Sequence, residues 1–376
     1  MNALIKQYLK VVLHIFGHQR QLHIIFVIII LSLASLIWVF EQSFNGFRSA
    51  HLLSRSSVVV RPLQALTPAA AATERTKSVS PYKRRLFVQL PGASARLGNR
   101  MFAHAALLGL AADSNLQATV CYADDNFLSS IFNLTTPVVA DDRLAHLRTV
   151  QWPWRTAVYV PPPVNLTDGA AEDDILLIGY FQSWRYFQRV EQRVRVEFRF
   201  RKHIAAAAAH VLRQLTANYT HSSTNLVLVG IHVRRSDMAL DRHLKRGYTV
   251  ADEHYIRRSI NYVADRVTTD ANATGTSLLF VVCTDDNRWA QLNVHTTSYP
   301  VVFTSSLNRK AEVDLAVLAS CDHVITTVGT FSWWAGYLHR PGGITVYYAG
   351  FPKPDTEIAG DFHAEDFFPP GWIGLL

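Results

Sequence analysis

The sequence predicts an α/β fold built on parallel sheet covered by helices on both faces. Three observations predict it. In the last third, short apolar runs (LVLVGIHV, SLLFVVCT, PVVFT, HVITT, ITVYY) alternate with helical stretches at about 253–266, 287–292, 312–320 and 332–338. The runs are continuously apolar, not alternating, which marks strands buried on both faces. Charged or glycine-bearing residues follow directly on three of them, at the carboxyl ends where such sheets bind ligands.

In chain order, residues 1–21 form a short tail, predicted to be cytoplasmic. Residues 22–40 hold an uncharged run interrupted only by Ser32 and Ser35 among its core positions. As a helix it would span roughly 25 to 28 Å, enough for a thin bilayer. Trp38-Val39-Phe40-Glu41 offers no small-x-small cleavage site, so the run is expected to be an uncleaved signal anchor. Flanking charge orients it weakly, with Lys6, Lys10 and Arg20 before it and Arg48 and Arg55 after. Sequons decide the question: Asn133, Asn165, Asn218 and Asn272 all follow the anchor and none precedes it. Everything after residue 40 is therefore expected in a secretory lumen.

Residues 41–85 lack a sustained apolar period and carry Pro62, Pro68 and Pro81, the composition of a luminal stem. Globular pattern begins with LFVQL at 86–90, a loop through Gly92 and Gly98, an Ala/Leu-rich helix at about 99–112 and a strand at ATVCY. Pro153 and the run 161–163 break the middle, before DILLIGYFQSW supplies a strand ending in aromatics. Arg189, Arg193, Arg195, Arg199, Arg201 and Lys202 read as a solvated basic face. The formal net charge of +8 would ordinarily raise nucleic acid as a partner, but a luminal setting favours small anions and membrane surfaces. Cys121, Cys283 and Cys321 allow at most one internal disulfide and match no zinc spacing.

The candidate chemistry sits at three strand ends. His232, Arg234, Arg235 and Asp237 close the first strand, Asp285 and Asp286 the next, and Gly329, Thr330 and Ser332 a later one. Arginine offers a planar fork of donors to phosphate oxygens. Gly329-Thr330 before a helix would add backbone N–H groups and a positive dipole end. An aspartate could accept hydrogen bonds from a base or ribose, so the set suggests a nucleotide diphosphate. Structural roles compete with each. The Arg/Asp knot could be an ion-pair cluster fixing a loop, either aspartate a helix N-cap, Trp333 and Trp334 core residues, and His232 a buried, satisfied histidine.

GIHVRRSD (230–237) resembles the G-x-H-x-R-R-G-D motif of the α1,2-fucosyltransferases. RLGNRMF (96–102), GYFQSWRYF (179–187), TDDNRWA (284–290), GTFSWWAGYL (329–338) and FFPPGWIGL (367–375) resemble segments of the same family in the same order. The resemblance implies two Rossmann-like domains of GT-B type facing across a cleft, here residues 86–222 on the acceptor side and 223–376 on the GDP-fucose side. It implies a Golgi single-pass type II membrane enzyme. Its reaction would be inverting transfer of fucose from GDP-β-L-fucose to the 2-hydroxyl of a terminal galactose, with no metal or other cofactor. On this chain Arg234 would bind the β-phosphate and Arg235 and Asp237 would shape the pocket. His232, Asn99 and the 285–286 and 329–332 segments would contact substrate. No D-x-D metal motif marks the rim. Asp237, His232 and Glu253 are all chemically able to serve as base. Two alternatives stay open: a fucosyltransferase making another linkage, and a non-catalytic membrane-anchored glycan or sugar-nucleotide binder.

This sequence departs from the motif at Ser236, where the family has glycine, and at Ala95 and Arg100, where it has glycine and glutamine. A positive φ at Ser236 would carry a strain that glycine avoids.

Overall fold

A computed structural model describes residues 84–91, 95–139, 147–153, 157–163, 174–219, 225–269, 275–307 and 310–376. The expected tail, anchor and nearly all of the stem lie outside these residues, as do Asn165 and Asn272. Among the described residues no helix is long and apolar enough to cross a membrane.

The first sheet collects β1 (Arg85–Gln89), β2 (Gln117–Ala118), β5 (Arg148–Gln151) and β6 (Ile175–Ile178), all parallel in the order β2-β1-β6-β5. A separate parallel pair joins β3 (Val120–Cys121) to β4 (Val138–Val139). The single strand expected at ATVCY is thus two short pieces. β1 feeds α1 (Leu97–Asp113), buried without a break from Met101 to Ala111. A helix apolar all round must be enclosed by other layers, and α1 lies between its own sheet and the helices of the next. α2 (Tyr122–Ser129) follows β3.

After β6 come two 3₁₀ turns, Trp184–Tyr186 and Gln188–Val190, then α3 (Glu191–Glu197) and α4 (Lys202–Thr216). From Arg189 to Lys202 only the basic residues stand out in the sequence. α4 buries Ile204, Ala208 and Val211 at helical spacing, with alanines between them that blur the pattern.

The second sheet holds β7 (Asn225–Val233), β8 (Thr276–Thr284), β9 (Val301–Phe303), β10 (His323–Thr326), β11 (Thr345–Tyr348) and β12 (Ile373–Leu375). Its order is β12-β11-β10-β7-β8-β9, every neighbour parallel. Counted within the sheet this is 3-2-1-4-5-6, the Rossmann order. The chain reverses its direction of growth between β7 and β10, which opens a crevice beyond their carboxyl ends. β12 had not been expected as a strand. α5 (Asp241–Arg246), α6 (Glu253–Thr268), α7 (Asn287–Asn293), α8 (Ala311–Ala319), α9 (Thr330–Leu338) and α10 (Ala364–Phe367) complete the set.

β8 shows why both faces are covered. Leu278, Phe280 and Val282 pack with Tyr255, Ile256 and Ile260 of α6, while Leu279, Val281 and Cys283 join the core holding α8, α9 and α1. Each such side chain contributes about 1.5–3 kcal/mol by leaving water. Trp333 and Trp334 are core residues: their indole N–H groups donate to Phe367 O (2.7 Å) and Gly98 O (3.0 Å). All three cysteines are buried and none forms a disulfide.

One buried charge anchors the first half. Glu197, fully buried, accepts from the Thr135 amide at 2.9 Å and the Thr135 hydroxyl, with His104 Nε2 at 3.5 Å. Burial alone would raise its pKa, but the His104 and Thr135 hydrogen bonds outweigh that and lower it from 4.5 to about 2. The folded value lies below the unfolded one, so this stabilisation is complete above pH 4.5 and drains away as pH falls toward 2. Glu197→Gln is expected to lose about 2 kcal/mol at pH 7 and to flatten the acid limb in that window. Urea unfolding at stepped pH measures both. An acid limb as steep as that of the parent chain would assign the pH dependence elsewhere.

Candidate functional site

Register builds the site. β7 pairs with β8 through His232↔Cys283 and Val233↔Thr284, and with β10 through His232↔Thr326. Continuing the β8 alignment past the strand end places Arg234 beside Asp285, and continuing the β10 alignment places Thr327 opposite Val233, next to Arg234. The Arg234 amide donates to Thr327 Oγ1 at 2.9 Å, and that hydroxyl donates to His232 O at 3.1 Å. The Arg234 guanidinium forks onto two carboxylates, Nη1 to Asp285 and Nη2 to Asp237. Asp237 reaches in turn to Arg96 Nη1 at 3.0 Å, at the entry to α1.

Asp285 is the hub. It accepts from the Arg235 amide at 2.9 Å and the Ser236 hydroxyl at 2.5 Å as well as from Arg234. Burial pushes its carboxyl up, but the Ser236 and Arg235 hydrogen bonds and the Arg234 charge together hold it below the usual carboxylate value. Ser236 is not among the described non-glycine residues with positive φ, which are Asn115, Phe181 and Asp355. The strain expected from replacing glycine therefore does not arise, and the hydroxyl gains a partner. The other two departures also meet: Arg100 Nε donates to Ala95 O at 3.0 Å.

Arg235 points the other way. It donates to Ala251 O at 2.8 Å, stacks 4.0 Å over the Trp289 ring and lies 4.0 Å from Asp286, and burial lowers its pKa. Asp286 caps α7, accepting from the Trp289 amide at 3.1 Å. The N-cap alternative thus holds for Asp286, while Asp285 is part of the ion-pair network.

The far wall is made by two helix N-termini. Gly329, at φ 91°, turns the chain into α9 in a conformation that favours glycine. Thr330 Oγ1 then donates to Asn99 Oδ1 (2.9 Å), which also accepts from Gln182 Nε2 (3.0 Å). Neither α1 nor α9 has a side-chain N-cap. The first-turn N–H groups of a helix have no intrahelical acceptor, so two positive ends border the crevice.

His232 and Ser332, the other two residues expected to touch substrate, are placed beneath the rim. Both are buried, with Nδ1 and Oγ 2.5 Å apart. Burial, with Arg234 adding to it against the pull of Asp285, lowers His232 to about 4. It is a neutral, satisfied core histidine that orients Ser332 in α9. Glu253 stands in the first turn of α6. Asn133 and Asn218 are exposed. Among the described residues no group of three or more His, Cys, Asp or Glu could hold a metal ion.

Arg234, Arg235, Asp237, Asp285, Asp286, Gly329 and Thr330, expected together at three strand ends, do lie along one rim, and Asn99, expected to contact substrate from the first loop, reaches it from α1 through Thr330. The sequence reading assigned no role to Arg96, Thr327, Gln182 or Trp289. Arg96, Gln182 and Trp289 stand inside quoted motif segments. Thr327 follows from pairing β7 with β10, which the run of strands along the chain does not give.

The family model for glycosyl transferase family 11 matches residues 56–376. Galactoside alpha-(1,2)-fucosyltransferase 1 of Pan troglodytes is 31% identical over 290 residues, 75% of this chain and 73% of that one. Galactoside alpha-(1,2)-fucosyltransferase 2 of Bos taurus is 30% identical over 321 residues, 83% of this chain and 86% of that one. The structure of NodZ alpha-1,6-fucosyltransferase co-crystallized with GDP is 16% identical and superposes with a TM-score of 0.43, covering 69% of this chain and 93% of that one, too loose a likeness to bear on the chemistry. With its match running from residue 56 to the last, the chain belongs to glycosyl transferase family 11 and is a glycosyltransferase.

Proposed function

We propose that the protein transfers L-fucose from GDP-β-L-fucose to the 2-hydroxyl of a terminal galactose, with inversion and without a metal. The observation that carries this reading is Arg234 at the β7/β10 switch point, joined through Asp237 to Arg96 at the N-cap of α1, in a chain about 30% identical to galactoside 2-fucosyltransferases.

Along the rim three arginines (Arg96, Arg234, Arg235) balance three aspartates (Asp237, Asp285, Asp286). An incoming diphosphate takes the place of Asp237 between Arg96 and Arg234, while Asp285 keeps Arg234 aimed. As the glycosidic bond to fucose breaks, negative charge grows on the β-phosphate. Preorganised guanidinium and backbone N–H donors stabilise it there most strongly in the transition state. Arg235, fixed by Ala251 and Trp289, shapes the pocket floor, and Asp286 holds α7 beside it. Asn99 ties the acceptor-side helix to the donor side.

The accompanying architecture is GT-B, with residues 86–222 on the acceptor side and 223–376 on the donor side. Residues 22–40 anchor the chain in the Golgi membrane, and residues 41–85 hold the catalytic part in the lumen. The four sequons beyond the apolar run support that orientation.

The test supplies the full chain with GDP-fucose and a panel of β-galactosides, with and without EDTA, and determines the linkage in the product. A 2-linked fucose that survives EDTA is expected. Another linkage would overturn the acceptor assignment, and donor binding without turnover would make the protein a binder.

Ser236→Gly, the change to the motif residue, is expected to reduce kcat/KM about three- to tenfold, because it deletes a hydrogen bond to Asp285 and relieves no strain. Unchanged or higher kcat/KM would remove Ser236 from the donor network.

A further inference from the structure

A cavity of about 410 Å³ opens at the end of α9 remote from the donor rim. Thr330 starts α9 at the rim, and Gly336, Tyr337 and His339 line the cavity at the other end. Nine helical residues separate the two by roughly 13 Å. It is lined by Trp184 and Trp372, two motif residues that take no part in the donor site.

We propose that this cavity is a second saccharide site, taking a neutral mono- or disaccharide unit of a glycan. Three features of the wall specify that chemistry. Trp184 and Trp372 are partly exposed aromatic surfaces, suited to the apolar faces of sugar rings. The Tyr337 hydroxyl is buried and has no hydrogen-bond partner among the described residues, and its residue, 7% exposed, lines the cavity. A buried hydroxyl left without a partner is destabilising, and a ligand hydroxyl would satisfy it. Finally, the charges are already balanced. Arg195 pairs with Glu191 at 3.0 Å while stacking on the Tyr337 ring, and Arg340 pairs with Asp322 at 2.7 Å. An anion would have to break those pairs, whereas a neutral polyol would use them as donors and acceptors.

The site does not depend on which linkage the enzyme makes. It would hold a sugar remote from the reacting one and so favour extended glycans over small galactosides.

Saturation-transfer NMR on the full chain tests this with lactose, N,N′-diacetylchitobiose and inorganic phosphate as separate probes, with and without GDP. Diacetylchitobiose contains no galactose, so its binding is independent of the proposed acceptor site. Saturable binding of at least one disaccharide is expected, unaffected by GDP. Tyr337→Phe should weaken it about five- to tenfold while leaving the thermal midpoint equal or higher, because it deletes an unpartnered hydroxyl. Gln188→Trp, which fills the mouth from an exposed position, should weaken it more than about tenfold, with kcat/KM on a small β-galactoside unchanged. The proposal is overturned if neither disaccharide binds, if phosphate saturates the site instead, if both variants bind as the parent does, or if Tyr337→Phe lowers the thermal midpoint.

Discussion

Arg234→Lys is expected to lower kcat/KM about a hundredfold, a loss of roughly 3 kcal/mol in transition-state stabilisation. Asp285 holds the guanidinium through Nη1 and fixes its plane, so that Nη2, on Asp237 before the donor binds, can pass to the diphosphate. A lysine ammonium is a single point charge on a flexible stem and cannot span both. It would settle on one aspartate and present no fixed pair of donors to the diphosphate. The drop should fall mainly in kcat, since the lost interaction strengthens as charge grows on the leaving group. The amide of residue 234 still bonds Thr327, so circular dichroism and the thermal midpoint should change little. Near-parental kcat with intact fold would sink the assignment.

The second half of the molecule was readable because a parallel sheet buried on both faces writes itself as uninterrupted apolar strands. Each strand end then marks a point on one rim. Arg234, Asp285 and Thr330 could be brought together on that basis alone. What the sequence withheld follows from how elements meet in space. The Arg96–Asp237 contact joins the loop before α1 to the loop after β7, and no local pattern couples them. α4 was missed because its run of alanines fits a buried and an exposed face equally well, so periodicity has little contrast there. The two-residue strands β2 to β4 are too short for any alternation to register. Ser236 shows a different limit. A motif glycine suggests a backbone demand, yet the backbone here makes none, and the side chain that replaced it is engaged by Asp285.

The crevice also depends on how closely α1 approaches α9, and Gly98→Val is expected to open it. A Cβ at Gly98 would lie 2.7 Å from the Thr330 carbonyl carbon and 2.8 Å from the Phe331 nitrogen. Both are backbone atoms at the first turn of α9, so neither can swing aside as a side-chain tip would. Valine adds two further methyl groups to the collision. The helices must separate, straining the Trp334 bond to Gly98 O (3.0 Å) and the Thr330 bond to Asn99 (2.9 Å). Overpacking of this kind destabilises by about 1–3 kcal/mol, and a displacement near 1 Å at a positioned site can lower the rate on the order of a hundredfold. Trp334→Phe separates the two effects. It loses the same indole bond to Gly98 and some core packing, so its thermal midpoint should fall comparably, yet it inserts nothing between the helices. Assayed well below both midpoints, Trp334→Phe should keep kcat/KM within a few-fold of the parent while Gly98→Val loses about a hundredfold. Equal losses would mean that activity follows core stability alone and that the contact between the two helix N-termini has no separate part in catalysis.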